Sequence, residues 1–271
     1  MTVTIHPTAL VDPKASLGPG TVVGAFCVVG PFVVLGDSVH LRSHVVIEGH
    51  TTIGSGCEIF PFAALGLPPQ DKKYRGEPTT LAIGSNCVIR EHSTLHLGTA
   101  TGTGHTAVGD GVLFMVNSHI AHDCRIGDGV IMANNATLGG HVEVGDFAIL
   151  GGNCAVHQFV RIGTMAMIGG MTGVEHDVIP FGLATGDRAR LNGLNLVGLK
   201  RRGLAHRQIH ALREAYRQIF SSDGLRSERL ERLRRDFAAD PLVMQMIEFA
   251  EQESHRPLCQ PRHLGTAAQH D

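Results

Sequence analysis

A six-residue repeat constrains this chain more than any other feature. Twenty-five hexapeptides, each opening on an apolar residue, occupy most of its N-terminal two-thirds. From Ile5 the phase runs unbroken through Val11, Leu17, Val23, Val29, Leu35, Leu41, Ile47, Ile53 and Ile59, and it resumes at Ile83, Ile89 and Leu95. After a one-residue shift it runs from Val108, Phe114, Ile120, Ile126, Met132 and Leu138 to Val144, Leu150, Val156, Ile162, Ile168 and Val174. Neither a helix nor a flat strand has a six-residue period. A parallel β-helix does: each hexad is a short strand plus a turn, and stacked coils bury one apolar column. Such a scaffold needs no large aromatic core, which accounts for 271 residues with no Trp and two Tyr.

The expected class is therefore mainly β, with a parallel β-helix over 1–186 and a C-terminal helical domain over 187–271. A hydrophobic content of 43% suits a soluble core. There is no signal-like N-terminus and no apolar run long enough to span a bilayer, so a cytoplasmic protein without an integral membrane segment is expected. Nucleic acid is not among the expected partners. Cys27, Cys57, Cys87, Cys124 and Cys154 all occupy the fifth hexad position, a slot otherwise filled by Ala, Val or Thr. At three hexads per coil, their spacing puts successive cysteines on different faces. They read as buried small residues in a reducing compartment, not as a disulfide or metal set.

A net charge of −2 conceals a segregation: Lys200 to Arg235 holds eleven of the 23 Lys and Arg residues against four acids. This basic stretch fits either an anionic partner or a solvated helix face. Two insertions break the solenoid, one near 66–82 with proline and charge, the other near 98–107 rich in Gly and Thr. Insertions in repeat proteins cluster on the binding face, so substrate contacts are expected there. Beyond Asp187, Ile209, Leu212, Tyr216 and Ile219 follow helical spacing, and Ser221–Gly224 breaks that helix. An Arg-rich helix then runs to about Phe237. Asp240-Pro241 opens a third through Glu253. The tail from Pro257 is expected to fray. Flat-sided prisms associate side by side, and a trimer would bury three faces around one axis.

Seventeen histidines are unevenly placed, and the suggestive group lies between His119 and His157. His122 and His141 are nineteen residues apart, about one coil, and should stack on the surface. Imidazole is a suitable base for a sugar hydroxyl. Against this, His44 and His50 share the fourth hexad position with His141, so histidine there fits a tolerated turn residue equally well. The glycine pairs Gly139-Gly140, Gly151-Gly152 and Gly169-Gly170 allow close backbone approach to a ligand or simply relieve the turn.

The motifs NSHIAHDC (117–124), LGGH (138–141), AVHQF (155–159), QDKKYRGEPT (70–79) and GLKRRG (198–203) resemble those of the UDP-N-acetylglucosamine 3-O-acyltransferases, which begin lipid A synthesis. The resemblance spans essentially the whole chain from IHPTA at Ile5. It implies a homotrimeric, left-handed parallel β-helix, an exception to the right-handed crossover rule. It also implies direct transfer of a 3-hydroxyacyl chain from acyl carrier protein to the sugar 3-hydroxyl. His122 would be the general base and the Gly140 N–H the oxyanion donor, with Asp123 biasing the His122 tautomer. Alternation of neighbouring strand residues argues against that last role. Gln70, Asp71, Lys73, His119, His141, His157 and Gln158 would contact the sugar nucleotide. Asn195, Arg201 and Arg202 would hold uridine and diphosphate. Gly170 matches the position that measures acyl length, and an absent side chain there favours a longer chain. The basic segment would meet the acidic carrier protein. No metal and no cofactor beyond the carrier's phosphopantetheine is implied.

Three positions depart from the family pattern. Val197 stands where an acid is common, Arg188 where a histidine is, and Leu97 where an arginine is, which affects nucleotide contacts but not the catalytic group. Two other readings are a coenzyme A-dependent hexapeptide acetyltransferase and a zinc hydratase of the carbonic anhydrase type, built from histidines on neighbouring subunits; His119, His122 and His141 could supply its ligands, although their spacing does not match that family's.

Overall fold

The computed structural model describes residues 2–262. From Thr4 to Val174 the chain winds as short parallel strands, most of them two residues long. Strands three hexads apart pair in register: Thr4 with Val22, Val22 with His40, His40 with Glu58. The strands sort into three sheets of eleven, nine and eight, the sides of a prism. The first sheet opens with Thr4–Ile5, the second with Leu10–Val11 and the third with Ser16–Leu17.

Strand alternation turns the first and fifth hexad residues inward and the sixth outward. Ile47, Ile59, Leu95, Ile120 and Leu138 fill the first position, and Cys27, Val45, Ala63, Val130 and Ala148 the fifth, all fully buried. The fourth position is the corner, and there the backbone is left-handed: Phe26, His44, Phe62, His92, Asn117, Asp123, Asn135, His141 and Phe159 have φ near +60°. Asn, Asp and His tolerate that region better than branched residues. The ring at one corner then stacks on the ring one coil away, as in Phe26–His44 (5.0 Å) and His44–Phe62 (5.1 Å). His50 departs from this pattern, because it opens the strand His50–Ile53 and the left-handed residue there is Gly49.

The first insertion lengthens its coil, so that Glu58 pairs with Val88. This corrects the expectation that successive cysteines fall on different faces. Cys57 and Cys87 stand one above the other on the first sheet, with the Cys87 N–H donating to Cys57 Sγ at 3.4 Å. With the insertion included, thirty residues make one full coil here and not one and two-thirds. All six thiols are free and buried. Burial pushes those of Cys124 and Cys154 up to about 12 and about 11, which suits packing and not reaction.

Past Val174 the first sheet continues through Gly182–Thr185 and turns back antiparallel along Arg190–Leu194. The 186/187 division thus falls in the turn of a hairpin. Among the described residues four helices follow: α1 (Leu196–Arg201), α2 (His206–Ile219), α3 (Arg226–Asp236) and α4 (Pro241–Glu251). Helix α1 escaped the sequence reading because six residues are too few to show a period. The Asp240 carboxylate caps α4 by accepting from the N–H groups of Leu242 and Val243. Among the described residues, no helix is long and apolar enough to cross a membrane.

The tail does not fray where expected. Residues 257–262 run extended along the end of the prism: Asp177 N–H donates to Pro257 O, Cys259 N–H to Asp177 O and Arg262 N–H to Leu191 O. Leu258 and Cys259 are buried there, so the segment covers backbone groups an open end would leave unpaired. The remainder of the expected tail, 263–271, lies outside the described residues. One buried ion pair ties this end together. Arg161 Nε donates to Asp177 Oδ2 at 2.7 Å, its Nη1 reaches Gln252 Oε1 at 2.7 Å, and its guanidinium lies over the Phe249 ring of α4. Asp177→Ala leaves that guanidinium buried without its counter-charge. A destabilisation of about 3–5 kcal/mol is expected, read as a lowered thermal midpoint at fixed protein concentration.

Candidate active site

The corner between the second and third sheets carries the histidine group. The strand His119–Ile120 ends, His122 and Asp123 turn the corner, and Arg125–Ile126 begins the next side. One coil on, Gly139, Gly140 and His141 occupy the same corner; one further, His157, Gln158 and Phe159 do. The His122 and His141 rings meet edge to face at 5.0 Å, and His141 stacks on Phe159 at 4.4 Å with planes 3° apart. The two histidines come together as expected, but edge to face and one position apart along the turn rather than one above the other.

Asp123 is the anchor of the site. The alternation argument against it does not apply, since Asp123 is a left-handed corner residue (φ 60°) and not part of a strand. Its carboxylate lies beside His122, with Nδ1 at 2.8 Å from Oδ2. It also accepts from the backbone N–H groups of Thr99 (3.1 Å), Thr103 (2.9 Å) and Gly104 (3.0 Å) and from the hydroxyls of Thr99 (2.6 Å) and Thr103 (3.0 Å). Burial by itself would raise this carboxyl. The bonds from Thr99, His122 and Thr103 overcome it and hold the group at about 2. An ionised carboxylate only accepts, so His122 Nδ1 carries the proton and Nε2 presents a lone pair.

The second insertion, expected to meet substrate, supplies this cage instead. Thr99, Gly102, Thr103 and Gly104 were not singled out from sequence; their signal was the Gly/Thr content at the phase shift. A Cβ on Gly102 would lie 2.4 Å from Asp123 Oδ2 and 2.6 Å from His141 Cε1. A Cβ on Gly140 would lie 2.5 Å from His122 Cε1 and 2.7 Å from Nε2. The two glycines therefore leave room for the rings. The Gly140 N–H donates to no acceptor among the described residues.

His119 stands on the second sheet, its Nδ1 2.7 Å from Thr94 Oγ1 and its ring edge-on to His96 at 5.0 Å. Burial pushes both imidazoles down, His96 to about 4. Among the described residues, the group able to hold a metal ion is His122, Asp123 and His141, with ligand atoms within 4.8 Å of one another. Within this protomer His119 is outside it, and the Asp123 oxygens are already engaged by N–H and O–H donors. Asp71 lies near enough for its charge to oppose the downward push that burial gives His141. Its Oδ1 accepts the Lys73 N–H at 2.9 Å, while Gln70 and Lys73 are exposed in the first insertion.

Four expected residues are elsewhere. Asn195, Arg201 and Arg202 line a cavity of about 130 Å³ on the first sheet with Gly129, Ile131, Phe147, Ile149 and Met165. Within this protomer the Asn195 side chain caps α1 through the Gly198 N–H and donates to Met165 O, and Arg202 lies over Phe147. Gly170 is at the corner between the first and second sheets, beside the exposed Met171 and 3.3 Å (at its Cβ position) from Gly152 O.

Two outcomes follow from this geometry. Gly102→Ala is expected to displace Asp123 and lower turnover by about 100-fold or more with an unchanged circular dichroism spectrum. His96 is neutral in the fold down to about pH 4, whereas unfolded chain takes up the proton near its ordinary 6.5. Stability from this group is therefore present above about 6.5 and lost as the pH falls from there towards 4. Between pH 7 and 4.5 the thermal midpoint of the wild type should fall further than that of His96→Gln.

Comparison with known proteins gives the group a family. The model for domain 2 of the UDP-N-acetylglucosamine O-acyltransferases matches residues 177–259, and that for bacterial transferase hexapeptide repeats matches 105–140. The acyl-[acyl-carrier-protein]–UDP-N-acetylglucosamine O-acyltransferase of Caulobacter vibrioides is 53% identical over 96% of this chain and 98% of its own. That of Mesorhizobium japonicum is 50% identical over 95% and 92%. Among solved structures, LpxA from Acinetobacter baumannii superposes with a TM-score of 0.91 at 42% identity, covering 94% of this chain and 99% of its own. The UDP-N-acetylglucosamine acyltransferase of Francisella novicida gives 0.93 at 33%, covering 99% and 100%. The fold is the left-handed parallel β-helix with a C-terminal helical domain. Matched at about half identity along nearly its whole length and in fold by solved structures, the chain belongs to the acyl-[acyl-carrier-protein]–UDP-N-acetylglucosamine O-acyltransferase family.

Proposed function

We propose that this chain moves a 3-hydroxyacyl group from acyl carrier protein to the 3-hydroxyl of UDP-N-acetylglucosamine, the first step of lipid A synthesis. The observation that carries the mechanism is a His122 Nε2 freed as an acceptor by the ionised Asp123, in a ring packed against Gly140, whose N–H donates to no acceptor among the described residues. Nε2 takes the proton of the sugar 3-hydroxyl as its oxygen attacks the thioester carbonyl. The N–H of Gly140 donates to the resulting oxyanion, a dipole already in place. Collapse breaks the carbon–sulfur bond, and the departing thiolate takes the proton back from His122. No acyl-enzyme forms, and no cofactor is needed beyond the carrier's phosphopantetheine.

Asp71, Lys73, Gln70, His119, His141, His157 and Gln158 then surround the acceptor sugar, and the corner leading to Gly170 takes the acyl chain. Asn195, Arg201 and Arg202 reach the nucleotide from a neighbouring protomer. Support for that assembly is the outer face of the first sheet, where Val88, Leu113, Ile131, Ile149 and Met167 form a half-buried apolar column beside the Arg201 and Arg202 cavity. Three copies related by a three-fold axis bury this column and bring each arginine pair to the next subunit's His122 corner. The basic helices receive the acidic carrier in the cytoplasm.

Incubation with UDP-N-acetylglucosamine and 3-hydroxyacyl carrier proteins of graded length, with products read by mass spectrometry, tests the reaction. A 3-O-acylated nucleotide is expected, and product only from coenzyme A thioesters would favour the acetyltransferase reading. His122→Ala should lower turnover by about 10²–10⁴-fold with the assembly intact by light scattering. Subunits carrying His122→Ala and subunits carrying Arg201→Ala with Arg202→Ala should each be inactive. Mixed one to one by refolding, they should recover about a quarter of the wild-type sites. No recovery would sink the shared site.

A further inference from the structure

The chain that leaves α4 does more than close the prism. Ser254, His255 and Arg256 bridge from the helix to the anchored stretch 257–262 and pass over the His157–Phe159 corner. The His255 ring meets Phe159 at 4.8 Å, on the ring that also stacks with His141. Arg256 grips the other two residues: its Nε donates to Gln158 O at 3.0 Å and its Nη2 lies 2.5 Å from His157 Nδ1.

A guanidinium can only donate, so the His157 nitrogen facing it must be the acceptor. The Gln158 carbonyl is 3.3 Å from the same nitrogen, but the contact to Arg256 Nη2 is far shorter and sets the ring. His157 therefore carries its proton on Nε2 and presents a donor. His122, held by Asp123, presents an acceptor instead. The same corner thus offers two imidazoles of opposite hydrogen-bonding sense, His122 fixed by the adjacent Asp123 and His157 by Arg256 from beyond α4.

We infer that Arg256 is a positioning residue, which locks His157 as an Nε2–H donor and fixes the Gln158 backbone, so that the post-α4 segment shapes the acceptor-sugar subsite. The sugar nucleotide, rich in hydroxyl and carbonyl acceptors, is the ligand such a donor serves. The inference rests on the acceptor assignment proposed above only for its effect on binding, since the tautomer belongs to the free protein.

Long-range proton–nitrogen correlation spectra of protein labelled with nitrogen-15 histidine test it, with His157 assigned by the signal lost in His157→Gln. His157 should appear as the Nε2–H tautomer in wild type and as a mixture in Arg256→Met, which keeps the aliphatic bulk and removes the donors. In the acyl-transfer assay Arg256→Met should raise KM for UDP-N-acetylglucosamine about tenfold, the worth of one hydrogen bond, with kcat within about twofold. Arg256→Lys should recover part of the tautomer preference. A wild-type His157 in the Nδ1–H form, or a tautomer indifferent to Arg256→Met, overturns the lock. A shifted tautomer with unchanged KM overturns its role in binding. If wild-type protein acylates no sugar nucleotide, the functional proposal fails, while the spectra still judge the lock.

Discussion

Vertical register between coils is the constraint on which everything else depends. Each strand is only two residues long over most of the prism and could not persist alone. It exists because its backbone groups bond to the coils on either side while its inward residue joins the buried column. Pairing and burial are therefore one interaction seen from two directions, and a residue's distance along the chain converts directly into height on the prism. His122 and His141 meet because nineteen residues is one coil plus one position along the turn. Cys57 and Cys87 meet because an insertion stretches the coil between them without breaking its register.

The fourth hexad position shows how the scaffold is turned to use. A left-handed corner costs about 1 kcal/mol or more for a residue other than glycine, and stacked rings or amide ladders offset it. The ladder Asn117–Asn135–Asn153, with side-chain bonds of 2.7 and 3.0 Å, does so at one corner. At another, Asp123, His141 and Phe159 fill the same structural slot, so the anchor of the site occupies a place the fold must fill in any case. Chemistry was added by choosing which residue tolerates the corner, not by building a new one.

Two departures from the repeat make that corner a site. The Gly/Thr insertion folds over Asp123 and surrounds a buried carboxylate with donors, which keeps it ionised and orients His122. The segment after α4 returns from the helical domain to the same corner two coils up. Both act on the stack from outside the coil, and both are loops whose side chains carry no periodicity.

The hexad pattern by itself determined the prism, its apolar column and the meeting of His122 with His141, and the three-and-four spacing beyond it determined a helical domain. Each of these follows from spacing, because height and face are functions of residue number once the period is known. Family motifs pointed to the same histidine corner. Other features were decided only by the tertiary structure. Asp123 lies beside His122 because a left-handed turn suspends strand alternation. Thr99, Thr103 and Gly104 reach Asp123 because an irregular loop closes over it. Residues 257–262 are ordered because the end of the prism has backbone groups to satisfy. Asn195, Arg201 and Arg202 stand on a different face from His122, a separation that linear order conceals. A repeat encodes position in one dimension; loops, corners and the far end of the chain meet it in three, and those meetings have no period to read.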